Sequence, residues 1–302
     1  MTTDRVLVVG SGFLGRASAL RLVAAGCRVT VLSPSAGTRP WPGGISALNG
    51  RQEDQAMLSA LLAEHETVIH AAWGTTPGSS AGHPAMEAEQ GLQPFLAFLE
   101  TLRRFPATRL LFMSSGGTVY GDPPTLPVAE AAPLRPRSCH GAGKAAAEMF
   151  LHAHRPERTA ILRPSNIYGP EQPLRSGFGV IRHLLACVAE ERTFQLWGDG
   201  LQLRDYLYID DFAEAVQRLA MRRDIAGTFN LGSGTGTSLR ELVALVEEVS
   251  GRRVGIDQRP ARAGDVLRIV LDNAALSAAT GWHPATSLWT GIERTWRCMS
   301  QT

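Results

Sequence analysis

Apolar positions in the first half of the chain fall into short unbroken runs, separated by longer stretches with helical spacing. Residues 5–9 (RVLVV) lead into a glycine turn, and 14–25 then carries Leu14, Leu20, Leu22 and Val23 in a helical segment. Runs at 28–32, 67–72 (TVIHAA), 109–115 (RLLFMSS), 159–163 (TAILR) and 228–231 read as further strands. Segments 54–64, 86–104 and 143–154 read as the helices between them. Strands this apolar, alternating with helices, predict an α/β fold with a doubly wound parallel sheet covered on both faces. The second half is less regular. Residues 239–250 and 273–280 read as helices, whereas 34–44, 121–137, 170–179 and 197–200 read as loops.

Composition excludes some function classes. The 302 residues are 44% apolar and 19% charged, with a formal net charge of +2, too small to argue for nucleic acid or an anionic membrane. Arginine numbers 29 and lysine one, with the arginines spread along the chain. Cys27, Cys139, Cys187 and Cys298 form no CxxC pair and no zinc-like spacing, so no metal is expected and a reducing cytoplasm is the simplest setting. The opening MTTDRVLVVG runs directly into a strand, so no signal peptide is expected. No apolar run reaches the ~20 residues that span a bilayer.

The chemistry concentrates in a few stretches. VVGSGFLG, residues 8–15, sets Gly10, Gly12 and Gly15 at G-x-G-x-x-G spacing between a strand and a helix, the context of a dinucleotide site. In such sites the second strand ends on an acid when the ribose hydroxyl is free. Here Ser33 stands in that place and Arg39 follows, which suits a 2′-phosphate, so the expected cofactor is NAD or NADP. A solvent-facing loop arginine is the alternative for Arg39. Lys144, the one lysine, follows His140 by four residues in SCHGAGK, a spacing that puts both on one helix face if the helix has begun by residue 140. SSGGTVYG (114–121), LRPSNIYGP (162–170), WGDGLQLRDYLYIDD (197–211) and RAGD (262–265) complete the set.

In this order, over nearly the whole chain, these stretches resemble the extended short-chain dehydrogenase/reductase family, and within it the NAD(P)-dependent nucleotide-sugar epimerases and dehydratases. The resemblance implies a Rossmann-type domain over 1–165, its sheet completed by segments near 205–232, and a smaller substrate-binding lobe mainly over 166–302. It implies a cytoplasmic oxidoreductase that moves a hydride between a sugar carbon and nicotinamide. The implied partner is a nucleoside diphosphate sugar, with neither nucleic acid nor membrane, and homodimers are common in the family. Alternatives on the same fold are an NADPH-dependent 4-ketosugar reductase, a non-redox isomerase or cyclase, and a non-catalytic cofactor-binding protein.

The resemblance also implies roles for individual residues. Cofactor contacts fall at Gly10, Gly12, Phe13, Leu14, Gly15, Ser33, Arg39, Arg51, Ala72, Lys144, Pro164 and Ser165. A Tyr-x-x-x-Lys pair moves the proton in the family; Lys144 matches its lysine, and His140 stands in the tyrosine slot. A compact ammonium with three rotatable donors is not replaced by a guanidinium, a reason to keep one lysine. A neutral imidazole can serve as base, and a nearby ammonium would hold it neutral. Gly116 occupies the slot of a serine or threonine, leaving Ser115 and Thr118 as substitutes. Arg51 replaces an aspartate that usually meets adenine, and Ala88 stands where a helix asparagine is usual. Asn166, Arg204, Tyr206 and Arg262 match substrate-binding positions, and arginine forks suit a diphosphate. Cys139 reads as a packing residue, and Asp210 with Asp211 as a helix cap.

Overall fold

The first apolar run becomes strand β1 (Arg5–Val9), in which Val6, Leu7, Val8 and Val9 are all buried. A parallel neighbour lies on each edge, so that Val8 pairs with Val31 on one side and with Ile69 on the other. The computed structural model describes residues 4–154, 156–175, 177–261 and 266–300. The remaining strands are β2 (Arg28–Ser33), β3 (Ile45–Asn49), β4 (Thr67–His70), β5 (Arg109–Met113), β6 (Thr159–Pro164), β7 (Asn166–Tyr168), β8 (Phe194–Trp197), β9 (Leu203–Tyr208), β10 (Gly227–Leu231), β11 (Gly236–Ser238) and β12 (Ile256–Arg259). The helices are α1 (Phe13–Ala24), α2 (Gln55–Glu64), α3 (Pro84–Glu87), α4 (Gln93–Leu102), α5 (Gly116–Val119), α6 (Cys139–His154), α7 (Val180–Ala189), α8 (Ile209–Met221), α9 (Leu239–Ser250), α10 (Ala274–Thr280) and α11 (Leu288–Ser300).

Seven strands form one parallel sheet in the order β10-β6-β5-β4-β1-β2-β3. Side chains alternate between its faces and feed two cores. Val6, Val8 and Leu111 join Phe212, Val216 and Trp282 in one. Leu7, Val9 and Phe112 join Leu58, Phe95 and Phe98 in the other. This is the doubly wound, Rossmann-type α/β architecture expected. The strand order reverses between β1 and β4, which opens a crevice at the carboxyl ends of the strands. β7, β9 and β11 form a separate sheet, as do β8 and β12.

Several expectations change in detail. The helix expected over 86–104 is interrupted: α3 passes into a π turn at Ala88–Leu92 before α4 begins. The strands expected over 67–72 and 109–115 end earlier, at His70 and Met113, and their last residues turn into the crevice. Helix α6 begins at Cys139, ahead of the expected 143. Asp210 and Asp211 do not cap α8; Tyr208 occupies that position, and the Asp211 carboxylate instead accepts the Thr286 amide at 2.9 Å.

Candidate active site

Strand β1 ends in a turn that only glycine fits. Gly10 sits at φ +106°, and a Cβ there would lie 2.8 Å from the Ala72 amide nitrogen. A Cβ on Gly15 would strike the Gly10 carbonyl oxygen, so the absence of one lets α1 pack flush on the turn. Gly12 caps α1 with open space beside it, and the first turn carries no acid. The N–H groups of that turn and the helix dipole therefore offer the crevice an anion site. Phe13, Leu14 and Ala72 line the same space. A cradle of this shape fits a dinucleotide diphosphate.

At the end of β2, the Ser11 hydroxyl donates to Ser33 Oγ at 2.9 Å and lies 3.2 Å from Ser35 Oγ. Ser33 thus brings a cluster of hydroxyls to this corner. Arg39, more than half exposed, approaches Glu171 at 3.7 Å, and Arg16 meets the same carboxylate at 3.2 Å. Arg51 lines the rim and is exposed. Pro164 closes β6, and Ser165 follows with a buried hydroxyl that has no hydrogen-bond partner among the described residues.

The early start of α6 places His140 and Lys144 one turn apart on the same helix. The Lys144 ammonium donates to the Met113 carbonyl at 2.6 Å and lies 3.9 Å above the Trp73 ring centroid. Burial pushes it down to about 7, opposed by the Glu87 and Glu148 carboxylates. His140 Nδ1 lies 3.4 Å from Thr75 Oγ1 and 3.8 Å from Glu87 Oε1. Burial, then the Lys144 charge, pushes the imidazole down to about 4 against the pull of Glu87, so it is neutral at pH 7. Its Nε2 makes no hydrogen bond among the described residues, and the residue lines the crevice.

Position 116 is closed to any side chain by packing. A Cβ on Gly116 would come 2.6 Å from Leu271 Cδ1 and 2.7 Å from the Arg163 carbonyl oxygen. Ser115 and Thr118 both line the crevice, and Thr118 Oγ1 is buried without a partner among the described residues. On the far side, Asn166 donates to the Asp205 carbonyl at 3.0 Å. The Arg204 guanidinium donates to the carbonyls of Val266 at 2.6 Å and Leu203 at 2.9 Å. Tyr206 is buried, which raises its phenol above the usual range. These three residues line the crevice as well. Arg262 lies outside the described residues, as does the rest of RAGD.

Trp73, Thr75 and Glu87 were not anticipated. Thr75 is 65 residues from His140 in the chain, and a helical glutamate ordinarily faces solvent, so spacing gave no signal. His70 was missed too. It donates from Nε2 to Gln52 Oε1 at 2.6 Å, and burial, then the Lys144 charge, holds it down at about 3.

A glycine cradle and a lysine-bearing helix facing each other across a Rossmann-type crevice define an extended short-chain dehydrogenase/reductase. More narrowly, the chain belongs to the NAD dependent epimerase/dehydratase family, whose pattern matches residues 6–232. A UDP-glucose 4-epimerase of Mycolicibacterium smegmatis is 32% identical over 304 residues, covering 96% of this chain and 97% of the relative. The UDP-glucose 4-epimerase of Thermus thermophilus, solved in complex with NAD, superposes with a TM-score of 0.89 at 31% identity, covering 98% of this chain and 99% of that one. That of Thermotoga maritima, solved with UDP-glucose, gives a TM-score of 0.90 at 28% identity, again covering 98% of this chain and 99% of that one. Among the described residues, no helix is long and apolar enough to cross a membrane.

Proposed function

We propose that the chain is an NAD(P)-dependent nucleotide-sugar epimerase, acting on a nucleoside diphosphate sugar with His140 as acid/base. The observation that carries this reading is one crevice of about 2010 Å³. Gly10 and Gly12, Asn166, Arg204 and Tyr206, and His140 and Lys144 all line it. Ligand pockets usually measure ~300–1,000 Å³, so this crevice has room for a dinucleotide and a second large ligand together. The similarity to UDP-glucose 4-epimerases along nearly the whole chain supports the 4-epimerase form of the reading.

The glycine cradle and the α1 N-terminus would hold the cofactor diphosphate. Ser33, Arg39 and Arg51 would meet its adenosine end, and Lys144, Pro164 and Ser165 its nicotinamide end. The chemistry a nicotinamide held there would supply is reversible hydride transfer at a sugar carbon. His140 Nε2 takes the proton of the sugar hydroxyl during oxidation and gives it back during reduction. Burial, then the Lys144 charge, keeps the imidazole neutral, the form that can accept a proton. Asn166, Arg204 and Arg262 would anchor the diphosphate, with Tyr206 and Thr118 facing the sugar. A cytoplasmic location and a homodimeric state belong to the same proposal.

The test is to denature the purified protein, assay the released nicotinamide, and follow UDP-glucose by NMR with the native enzyme. Retained NAD with interconversion of the 4-epimers is the expected result. Consumption of exchangeable NADPH with a ketosugar would indicate a 4-ketosugar reductase. Absence of any nicotinamide binding would indicate a non-redox isomerase or cyclase.

A further inference from the structure

The groups around His140 fix its protonation pattern as well as its position. Glu87 is buried and both its oxygens are engaged: Oε1 accepts the Trp73 indole N–H at 2.8 Å, and Oε2 accepts the Thr75 hydroxyl at 2.5 Å. Thr75 has one hydroxyl proton, and this short charge-assisted bond commits it to Glu87. The threonine oxygen therefore faces His140 Nδ1, 3.4 Å away, as an acceptor. A ring nitrogen beside an acceptor carries the proton, which leaves the Nε2 lone pair on the crevice side.

The place for this carboxylate is built from several elements. A Cβ on Gly143 of α6 would come 2.9 Å from Glu87 Cγ, and one on Gly91 would come 2.9 Å from Glu87 Oε1. Both glycines thus make room for it. Directly after Glu87 the helix changes to a π turn, a distortion often found at functional sites. The His140 ring stands edge-on to Trp73, the residue that orients the other carboxylate oxygen.

We infer that Thr75 and Glu87 form a relay that holds His140 as the Nδ1–H tautomer, so that Nε2 is the base toward the sugar hydroxyl. The inference rests on the acid/base reading of His140 above. In the step, the sugar O–H bond breaks and an Nε2–H bond forms. The C–H pair leaves as hydride to oxidised nicotinamide, so the carbon becomes a ketone and the nicotinamide is reduced. The Nδ1 proton stays in place, and the imidazolium charge faces Glu87 through the threonine. Thr75 and Glu87 are positioning residues and do not touch substrate.

The test reads the histidine ring nitrogens of the ¹⁵N-labelled full-length protein by two-bond ¹H–¹⁵N correlation, without substrate, with His140→Ala assigning the signals. The expected wild-type pattern is a protonated Nδ1 and a bare Nε2. Thr75→Val should lose that pattern and lower kcat on the order of 10²-fold with KM little changed, and Thr75→Ser should restore both. In Glu87→Gln the Trp73 N–H selects the amide oxygen, which turns the amide NH₂ toward Thr75 and reverses the relay. That variant should carry Nε2–H instead, and it serves as the test if Thr75→Val does not fold. An Nε2–H tautomer in the wild type, or an unchanged tautomer and kcat in the variants, overturns the relay. A fully active His140→Ala would instead remove the base reading itself, a separate failure because the tautomer is read without turnover.

Discussion

Two buried charge clusters lean on helix α6, and they are paired to different degrees. In one, Arg163 donates to Glu148 through Nε at 3.1 Å and Nη2 at 2.6 Å, and through Nη1 to the Tyr120 hydroxyl at 2.7 Å and the Glu130 carbonyl at 2.9 Å. Ser114 adds its hydroxyl to the same carboxylate. Hydrogen bonds and charge from Glu148 outweigh burial and keep Arg163 above its ordinary value. In the other, Lys144 has one carbonyl and two aromatic faces, and His140 has one long hydrogen bond. There burial outweighs the carboxylates: Lys144 is pushed down to about 7, and His140 is pushed down to about 4 and stays neutral. Complete pairing makes a charge permanent and structural, whereas incomplete pairing in a dry site makes it titratable.

The largest effect should come from breaking the complete cluster. Arg163→Met leaves Glu148 buried without its guanidinium partner, and should cost about 3–5 kcal/mol by urea denaturation. A loss below ~1 kcal/mol would mean the cluster is not structural. In the incomplete cluster the effect should fall on turnover. His140→Ala should lower kcat on the order of 10²-fold or more while leaving cofactor affinity and Tm nearly unchanged. The contrast sharpens with pH. Lys144 is pushed down to about 7 in the fold against 10.5 for a free lysine side chain, so the unfolded chain binds more protons between those values. Stability should therefore rise with pH across that window, and Lys144→Met should flatten the rise; an identical slope in that variant would refute the lowered value. The same substitution should weaken NAD(P) binding in a titration. The smallest effect is expected from Gly143→Ala. Crowding against Glu87 and the better helix propensity of alanine oppose each other, for a net change of about 1 kcal/mol. Its kcat should move more than its Tm.

Features set by local backbone demands were legible in the sequence. The glycine cradle was readable because Gly10 and Gly15 answer to contacts within one strand–turn–helix unit. The His140–Lys144 spacing was readable, but the shared face depended on α6 starting at Cys139, four residues ahead of the expected start. Strand β3 was not, because its half-exposed ISALN lacks an unbroken apolar run. The break at Ala88–Leu92 was hidden because a π turn keeps helix-forming residues and shifts only their angular phase. The Glu87 pocket was hidden for a different reason: it is assembled from the loop after β4, from α3 and from α6, and no one of these segments stands out alone.

Gly116 has a consequence for how this sequence can change. Placing a hydroxyl-bearing side chain there is not a single step, because any side chain meets Leu271 and the carbonyl of Arg163. Leu271 can shrink, but the carbonyl belongs to Arg163 in β6, whose side chain anchors the complete charge cluster. A lone substitution at Gly116 therefore carries a steric cost that a smaller residue at 271 relieves only in part. Packing, rather than chemistry, decides which residue can stand at this position.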